Sequence, residues 1–460
     1  MRKAFAISII QTLRERGFQA YLAGGCVRDL LLDREPKDYD VATSATPNEV
    51  MQIFPNSFAV GAQFGVVLVP YPVSPVPPVF KGFEGIDASP IDAAASETHT
   101  VEVATFRSDL AYSDGRHPDA VRFSQDPRED VVRRDFTING MMLDPVTNEV
   151  LDFVGGRHDL EAGIVRAIGD PDRRFGEDKL RLLRAVRFAA RFQYEIESQT
   201  FASIHNHAPE IALVSRERVR DELTRMLIEG HASRAFRLLD ATALLPEVLP
   251  EISRMKGVEQ PPEFHPEGDV FTHTLLLLDN LPQPCPPTLA WGALLHDVGK
   301  PATFRRAADR IRFDDHVDVG VKIAEEICRR LRFSNDDTAQ ILSLVDNHMR
   351  FGHVSRMKES TLKRFMRLPA FEQHMALHRA DALASHHNLA TYDFLRHKLS
   401  ETPAAVIRPR PLISGDDLIE AGYMPGPRFR EILDAVEDAQ LEGRLSSHDA
   451  ALEFVKAEFP

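Results

Sequence analysis

Apolar positions in the first twenty residues recur at helical spacing. Ala6, Ile9, Ile10 and Leu13 fall at i, i+3, i+4 and i+7, which predicts an amphipathic helix stopped by Gly17. The pattern then shortens. Tyr21-Leu22-Ala23 reads as a buried strand, Gly24-Gly25 as a turn, Cys26 to Leu32 as a short helix and Asp38 to Ala42 as a second strand. Residues 58–69 predict two strands around Gly61 and Gly65, and 101–106 another. The intervening 70–99 stretch is rich in Pro, Gly, Ala and Ser; it reads as an inserted loop, because the strand pattern resumes after it. Residues 176–192, GEDKLRLLRAVRFAARF, predict one strong helix with an apolar stripe of Leu182, Leu183, Val186 and Ala190. Helical patterns continue to the end, with a linker at 400–411 and two or three short helices after it. No internal repeat suggests a solenoid.

Composition adds bounds. A chain of 460 residues holds about three domains, and 43% apolar with 27% charged residues is ordinary for globular protein. Three scattered cysteines, Cys26, Cys285 and Cys328, argue against a disulfide framework and fit a reducing cytoplasm. No stretch approaches the length of a membrane span. The AFAISII run after Arg2-Lys3 is too short, and too soon interrupted by charge, for a signal peptide. The net charge of −14 is awkward for a nucleic-acid binder, which needs local positive potential. Arg181, Arg184, Arg187 and Arg191, along one face of the 176–192 helix, supply such a stripe; a solvated cationic face is the plain alternative.

Candidate chemistry concentrates in two places. In the first, Gly24-Gly25 between strand and helix lets backbone N–H groups approach a phosphate, with Arg28 one turn into the helix. Asp38 and Asp40 fall on one face of a strand. Two carboxylates beside a phosphate site suit a pair of Mg²⁺ ions for in-line phosphoryl or nucleotidyl transfer. A lone DxD is a weak signal; its combination with Gly-Gly and a helix carrying Arg-Asp is much stronger. Glu102 is the candidate third carboxylate, or else an exposed strand residue. Arg133-Arg134-Asp135 offers two phosphate-pairing cations and a carboxylate, and Asn139 an amide that reaches a ribose hydroxyl. Asp178 and Arg181, three apart, share a helix face and offer acceptors and donors to a base edge; a plain helix salt bridge is the alternative. In the second place, His273, His296-Asp297 within LLHDVGKP, His316, His348 and Asp381 combine imidazoles and carboxylates, a set suited to a divalent transition metal.

The strings LAGGCVRD and KDYDVAT resemble the head of the nucleotidyltransferase superfamily, in the bacterial and eukaryotic class of tRNA nucleotidyltransferases and poly(A) polymerases. The resemblance extends to Asp114–Pro118, similar to a D-x-R-H-P-like loop associated with switching from C to A addition. It includes Arg133–Asn139, similar to the ribose-recognising R-R-D-F-T-x-N, and Glu177–Arg181, similar to the E-D-x-x-R element whose Asp and Arg read CTP or ATP without a template. Ser215–Leu223 resembles the scaffolding element that follows. The order H…HD…D resembles the HD phosphohydrolase superfamily, with His316 and His348 matching its longer two-metal versions.

The resemblance implies an α/β nucleotidyltransferase head, a mixed sheet with flanking helices, at 1–150. An all-α neck at 151–255, an HD domain at 256–395 and a tRNA-contacting tail at 396–460 would follow. It implies CCA addition to tRNA 3′ ends from CTP and ATP, by a monomer or homodimer. Asp38, Asp40 and Glu102 would be catalytic, with Mg²⁺ on Asp38 and Asp40. Gly24, Gly25, Arg28, Arg133, Arg134, Asp135, Asn139, Asp178, Arg181, Arg184 and Arg187 would bind nucleotide, and Ni, Mn, Co or Fe would sit in a phosphohydrolase-like HD site. The rivals are a poly(A) polymerase, whose Arg-Arg-Phe type signature Val60–Gly65 lacks, an enzyme adding only CC or only A, and an HD hydrolase with an RNA-binding head, against which the intact DxD argues.

Overall fold

The computed structural model describes residues 2–60, 65–71, 100–110, 120–263, 265–308 and 310–460. The Asp114–Pro118 loop, Gly61 and nearly all of the 70–99 insertion lie outside them. The chain divides into two compact units, residues 1–214 with 241–244, and residues 215–240 with 245–460.

In the first unit, α1 (Arg2–Glu15) buries Ala6, Ile9, Ile10 and Leu13, the predicted stripe. A mixed sheet follows, built from β1 (Ala20–Ala23), β2 (Val41–Thr43), β3 (Phe58–Ala59), β4 (Val66–Pro70), β5 (Thr100–Thr105), β8 (Met141–Leu143) and β9 (Val150–Asp152); a separate hairpin pairs β6 (Arg107–Leu110) with β7 (Ala120–Phe123). The strand order is β3-β4-β5-β2-β1-β8-β9. Within this sheet β2 and β5 run parallel, in the register Val41↔Val103, and the other described pairs run antiparallel. Helices α2 (Gly25–Leu31), α3 (Pro47–Ile53), α4 (Pro127–Val132) and α5 (Gly156–Ala162) accompany the sheet, and α6 (Pro171–Glu177), α7 (Leu180–Phe192) and α8 (Ser198–His207) follow.

Two expectations change here. Asp38 and Asp40 precede β2 rather than lying in it, because β1 ends at Ala23 and turns into α2, leaving nothing to pair with residues 38–40 beyond one bond from Ala23 N–H to the Asp40 carbonyl (3.0 Å). The 176–192 helix is two helices. Asp178 is extended (φ −146°, ψ 108°), and its carboxylate accepts from Leu180 N–H (3.0 Å), which starts α7 as a capping Asp does. Asp178 therefore lies outside the helical run that carries Arg181, joined to it by the bond from Arg181 N–H to the Asp178 carbonyl (3.1 Å).

The second unit is helical. α9 (Arg216–Ile228), α10 (Ala232–Ala241), α11 (Leu245–Val248) and α12 (Pro250–Ser253) lead into α13 (Val270–Asp279), α14 (Pro287–Leu295) and α15 (Lys300–Thr303). α16 (His316–Arg330), α17 (Asn335–Asn347), α18 (Glu359–Met366), α19 (Phe371–Ala384) and α20 (Ala390–Glu401) complete the bundle. α14 carries apolar residues all round and lies in the core, where Trp291 is fully buried with its N–H donated to Thr224 Oγ1 of α9 (2.9 Å). The expected linker at 400–411 contains a helical turn, α21 (Ala404–Ile407). Ile407 joins a core with Phe365, Phe371 and Leu395, because apolar burial outweighs the flanking prolines there. The tail forms α22 (Gly415–Glu420), α23 (Arg428–Leu441) and α24 (His448–Glu458) around Ile413, Leu418, Ile432, Val436, Ala451 and Val455.

Candidate active and metal sites

The parallel register of β2 and β5 sets residue 40 beside residue 102, one position before the Val41↔Val103 pair. Tyr39 is buried, while Asp38 is exposed and Asp40 half-buried. The Asp40 carboxyl is pushed up to about 6 by desolvation and by the charges of Glu102 and Asp38, against the pull of Arg134. The Glu102 side chain is reached by water yet crowded, and desolvation raises its carboxyl, opposed by Arg134, Arg133 and Arg107. A cluster in which Glu102 and Asp38 both raise the Asp40 carboxyl is a place that a divalent cation relieves. The residues fit the expected metal by this measure.

Around them the phosphate-binding candidates come together. Gly24 has φ +75°, so the turn requires glycine, and a Cβ on it would lie 2.7 Å from Arg134 Nη1 and displace that guanidinium. Asp130, a residue the sequence reading passed over, holds Arg133 (2.6 Å) and Arg134 (2.9 Å) together. Burial opposes its charge, yet the two guanidinium groups keep its carboxyl below the usual range. Its spacing of i−3 and i−4 from the two arginines was the available signal.

Arg28 is buried. It donates to Asp29 (2.7 Å) and to Asn139 Oδ1 (2.6 Å), and lies over the Phe192 ring. Asn139 Nδ2 donates in turn to Asp135 Oδ1 (3.0 Å), and Arg184 grips Asp135 Oδ2 (2.5 and 2.8 Å). Burial works against the Asp135 charge, but Arg184 and Asn139 outweigh it and hold the carboxyl well below the usual range. Arg187 is buried over Phe188. Arg181 bonds Glu177 Oε2 (2.8 Å) and the carbonyls of Arg174 and Arg133 (both 3.0 Å). The stripe read as an open cationic face is thus largely knitted into the protein by acidic and carbonyl partners.

The second unit assembles its own constellation. His273 of α13, His296 at the end of α14 and Asp381 of α19 form one group; Asp297, His316 at the start of α16 and His348 at the end of α17 form another. Within each group the ligand atoms lie within 4.8 Å of one another. His273 Nε2 is 3.1 Å from Asp381, and Asp297 Oδ1 is 3.8 and 3.7 Å from Nε2 of His316 and His348. The Nδ1 atoms of His296, His316 and His348 pair with the carbonyls of Ala293, Phe313 and Val345 (2.8, 2.9 and 2.6 Å). That tautomer turns each Nε2 inward as a lone-pair donor. The Nε2 atoms of His316 and His348 are buried without a hydrogen bond, and those of His273 and His296 face the carboxylates of Asp381 and Asp297 (both 3.1 Å), as atoms gathered around a metal would. The residues fit a divalent metal.

Burial pushes His348 down to about 4 and lowers His316, which keeps both rings neutral at pH 7. Burial opposes charge on His273 too, but Asp381 and Glu267 push it up to about 9. Glu267 holds His273 Nδ1 (2.6 Å) and His265 Nδ1 (2.9 Å), and Lys300 pairs with Asp297 (2.6 Å) and Gln260 (2.7 Å). The sequence reading passed over these partners; His265 and Glu267 sit just ahead of the α13 cap, and Lys300 within HDVGK. Gly299 explains the glycine of that motif: a Cβ there would lie 2.0 Å from the His316 carbonyl oxygen.

Among comparisons with known families, the Poly A polymerase head domain matches residues 20–72 and 81–166. The RNA and SrmB-binding site of polymerase A matches 193–256, and the HD domain matches 270–385. The class is therefore a nucleotidyltransferase whose head is joined to an HD domain. Over 96% of its length the chain is 30% identical to a CCA-adding enzyme of a Geobacillus species, covering 94% of that relative. It is 38% identical over 255 residues to the CCA-adding enzyme of Lactobacillus helveticus, spanning 57% of that relative's length. The crystal structure of the Bacillus stearothermophilus CCA-adding enzyme in complex with CTP superposes with a TM-score of 0.72 at 25% identity, over 98% of this chain and 97% of that one. The fold of the Thermotoga maritima CCA-adding enzyme complexed with tRNA matches with a TM-score of 0.58 at 19% identity, over 99% and 95%. The chain belongs to the CCA-adding enzyme family. Among the described residues no helix is long and apolar enough to cross a membrane.

Proposed function

We propose that the chain adds C, C and A to tRNA 3′ ends from CTP and ATP, with Asp38 and Asp40 holding Mg²⁺ and Glu102 supporting them. The observation that carries this reading is the β2–β5 register, which sets Asp40 beside Glu102, with Asp38, Arg134 and Gly24 around it. Magnesium, when bound, supplies activation of the terminal 3′-hydroxyl and neutralisation of the triphosphate. Gly24 and Gly25 leave room for phosphate at the turn, and Arg133 and Arg134, fixed by Asp130, face it with positive charge. The Arg184–Asp135–Asn139–Arg28 chain fixes the amide that meets the ribose. Asp178 and Arg181 supply acceptors and donors to the base. The amino groups of cytosine and adenine suit a carboxylate; the carbonyls of uracil and guanine in their places do not. Incubating the protein with tRNAs lacking one, two or three terminal nucleotides, with CTP, ATP or both, tests this reading. Addition of all three in order is expected; homopolymer synthesis or a stop after CC overturns it.

The helical unit is proposed to hold Ni, Mn, Co or Fe and to hydrolyse phosphate esters, supported by the inward-turned Nε2 atoms of His273, His296, His316 and His348. The buried free cysteines suit a cytoplasmic setting. Sedimentation distinguishes a monomer from a homodimer.

A further inference from the structure

Asp178 stands at a joint between α6 and α7, and two sets of side chains grip that joint. On one side Glu177 Oε2 holds Arg174 Nη1 (2.7 Å) and Arg181 Nη1 (2.8 Å). Arg174 Nη2 donates to the Val132 carbonyl (2.7 Å) and Arg181 Nη2 to the Arg133 carbonyl (3.0 Å). This grip ties the joint to the segment that carries Arg133, Arg134 and Asp135.

On the other side stands Lys179, the very next residue. It is buried, and its ammonium pairs with Glu210 in the 3₁₀ turn Ala208–Leu213 that follows α8. Glu210 also pairs with His207 Nδ1 (2.7 Å). His207 Nε2 lies 3.3 Å from Asp172 in the first turn of α6, and Ser203 of α8 donates to the same Asp172 oxygen (2.5 Å). One element, α8 with its 3₁₀ extension, therefore holds both arms of the joint, Asp172 on α6 and Lys179 on α7. A buried lysine is uncommon and costs stability unless paired. Here its pairing fixes the backbone one peptide away from the Asp178 carboxylate.

We propose that Lys179 and Glu210, braced by His207 and Asp172, are positioning residues for base selection. They set the angle between α6 and α7 and so the place of the Asp178 carboxylate against the incoming base. The proposal rests on the reading of Asp178 and Arg181 as the base-recognising pair. A carboxylate that wanders by about 1 Å loses roughly ten- to a hundred-fold of what it contributes, and the loss appears as accepted UTP and GTP.

The test is single-nucleotide addition to trimmed tRNA, measuring kcat/KM for each of the four triphosphates and the thermal midpoint of each protein. The variants are Lys179→Met, Glu210→Gln, their double variant, Lys179→Arg and Asp178→Ala. Lys179→Met and Glu210→Gln should each lower the CTP:UTP and ATP:GTP ratios by about tenfold. The double variant should fall no further than either single one, as expected of one shared interaction, and Lys179→Arg should keep most of the wild-type ratio. If Lys179→Met does not fold, Glu210→Gln carries the test, since its side chain is 39% exposed. Wild-type ratios in the brace variants, beside a relaxed Asp178→Ala, would make the brace merely structural and leave the base-reading pair standing. Unchanged ratios in Asp178→Ala would remove the base-reading pair and this proposal with it.

Discussion

At the residue scale, the groups that matter are those whose neighbours are fixed. Asp38→Ala or Asp40→Asn should abolish nucleotide addition while the circular-dichroism spectrum stays native, because each removes a carboxylate from the Asp38–Asp40–Glu102 cluster. Gly24→Ala adds a Cβ where φ is +75° and Arg134 stands 2.7 Å away. The strain amounts to about 1–3 kcal/mol, and addition should fall well before the fold is lost, as a rate assay beside a melting curve would show. His374 offers a pH-dependent case outside both sites. It is buried against Phe371 and near Arg350, and desolvation with that charge pushes it down to about 4 from the ordinary 6.5. Between these values the unfolded chain binds more protons than the folded one, so stability is lost as pH falls from about 6.5 to about 4. The loss approaches about 3 kcal/mol at the lower end. Denaturant titrations at several pH values should show that slope shallower in His374→Gln; an identical slope would remove His374 from the account.

At the element scale, the break between α6 and α7 was poorly legible. Helix propensity and apolar period both favoured one continuous helix, and propensity is a weak prior against tertiary bonds. What breaks it is Asp178 capping α7 and Glu177 drawn to Arg174 and Arg181. The Glu177–Arg181 spacing of i,i+4 was visible, but no spacing shows which of two adjacent acids an arginine takes. Gly299 is the opposite case, a motif glycine whose purpose is packing. Gly299→Ala should push α16 from the HD turn and displace His316, so that the metal content of purified protein falls while His273, His296 and Asp381 remain in place. Full wild-type metal content in a folded Gly299→Ala would show that the helix shifts without cost.

At the scale of the whole molecule, the two candidate sites fall in different compact units. His296→Ala removes an inward-turned Nε2 from the helical unit, whereas Asp38, Asp40 and Glu102 belong to the other unit. Metal analysis should show bound metal lost, and hydrolysis of phosphate esters should go with it. Addition of CTP and ATP to trimmed tRNA should stay within about twofold, as expected where the two sites share no residue. A collapse of nucleotide addition in folded His296→Ala would show that the units are coupled. The tail has its own core, and its helix α23 is tied to α18 by Arg364 with Glu437 and Asp438.

The sequence by itself determined most element types and the glycine turn before α2, and it presented the imidazoles and carboxylates that the helical unit gathers. Each depends on neighbours in the chain or on chemistry that few residue types supply. Tertiary structure alone decided the rest. Strand register set Glu102 beside Asp40, since parallel pairing joins residues far apart in sequence. Packing chose Glu177 and Asp135 as partners for Arg181 and Arg184, which the sequence presents in an open stripe, and Asp130 for Arg133 and Arg134. The meeting of five helices brought His273, His296, His316, His348 and Asp381 together, because convergence in space is fixed by how helices cross and by no local pattern along any one of them.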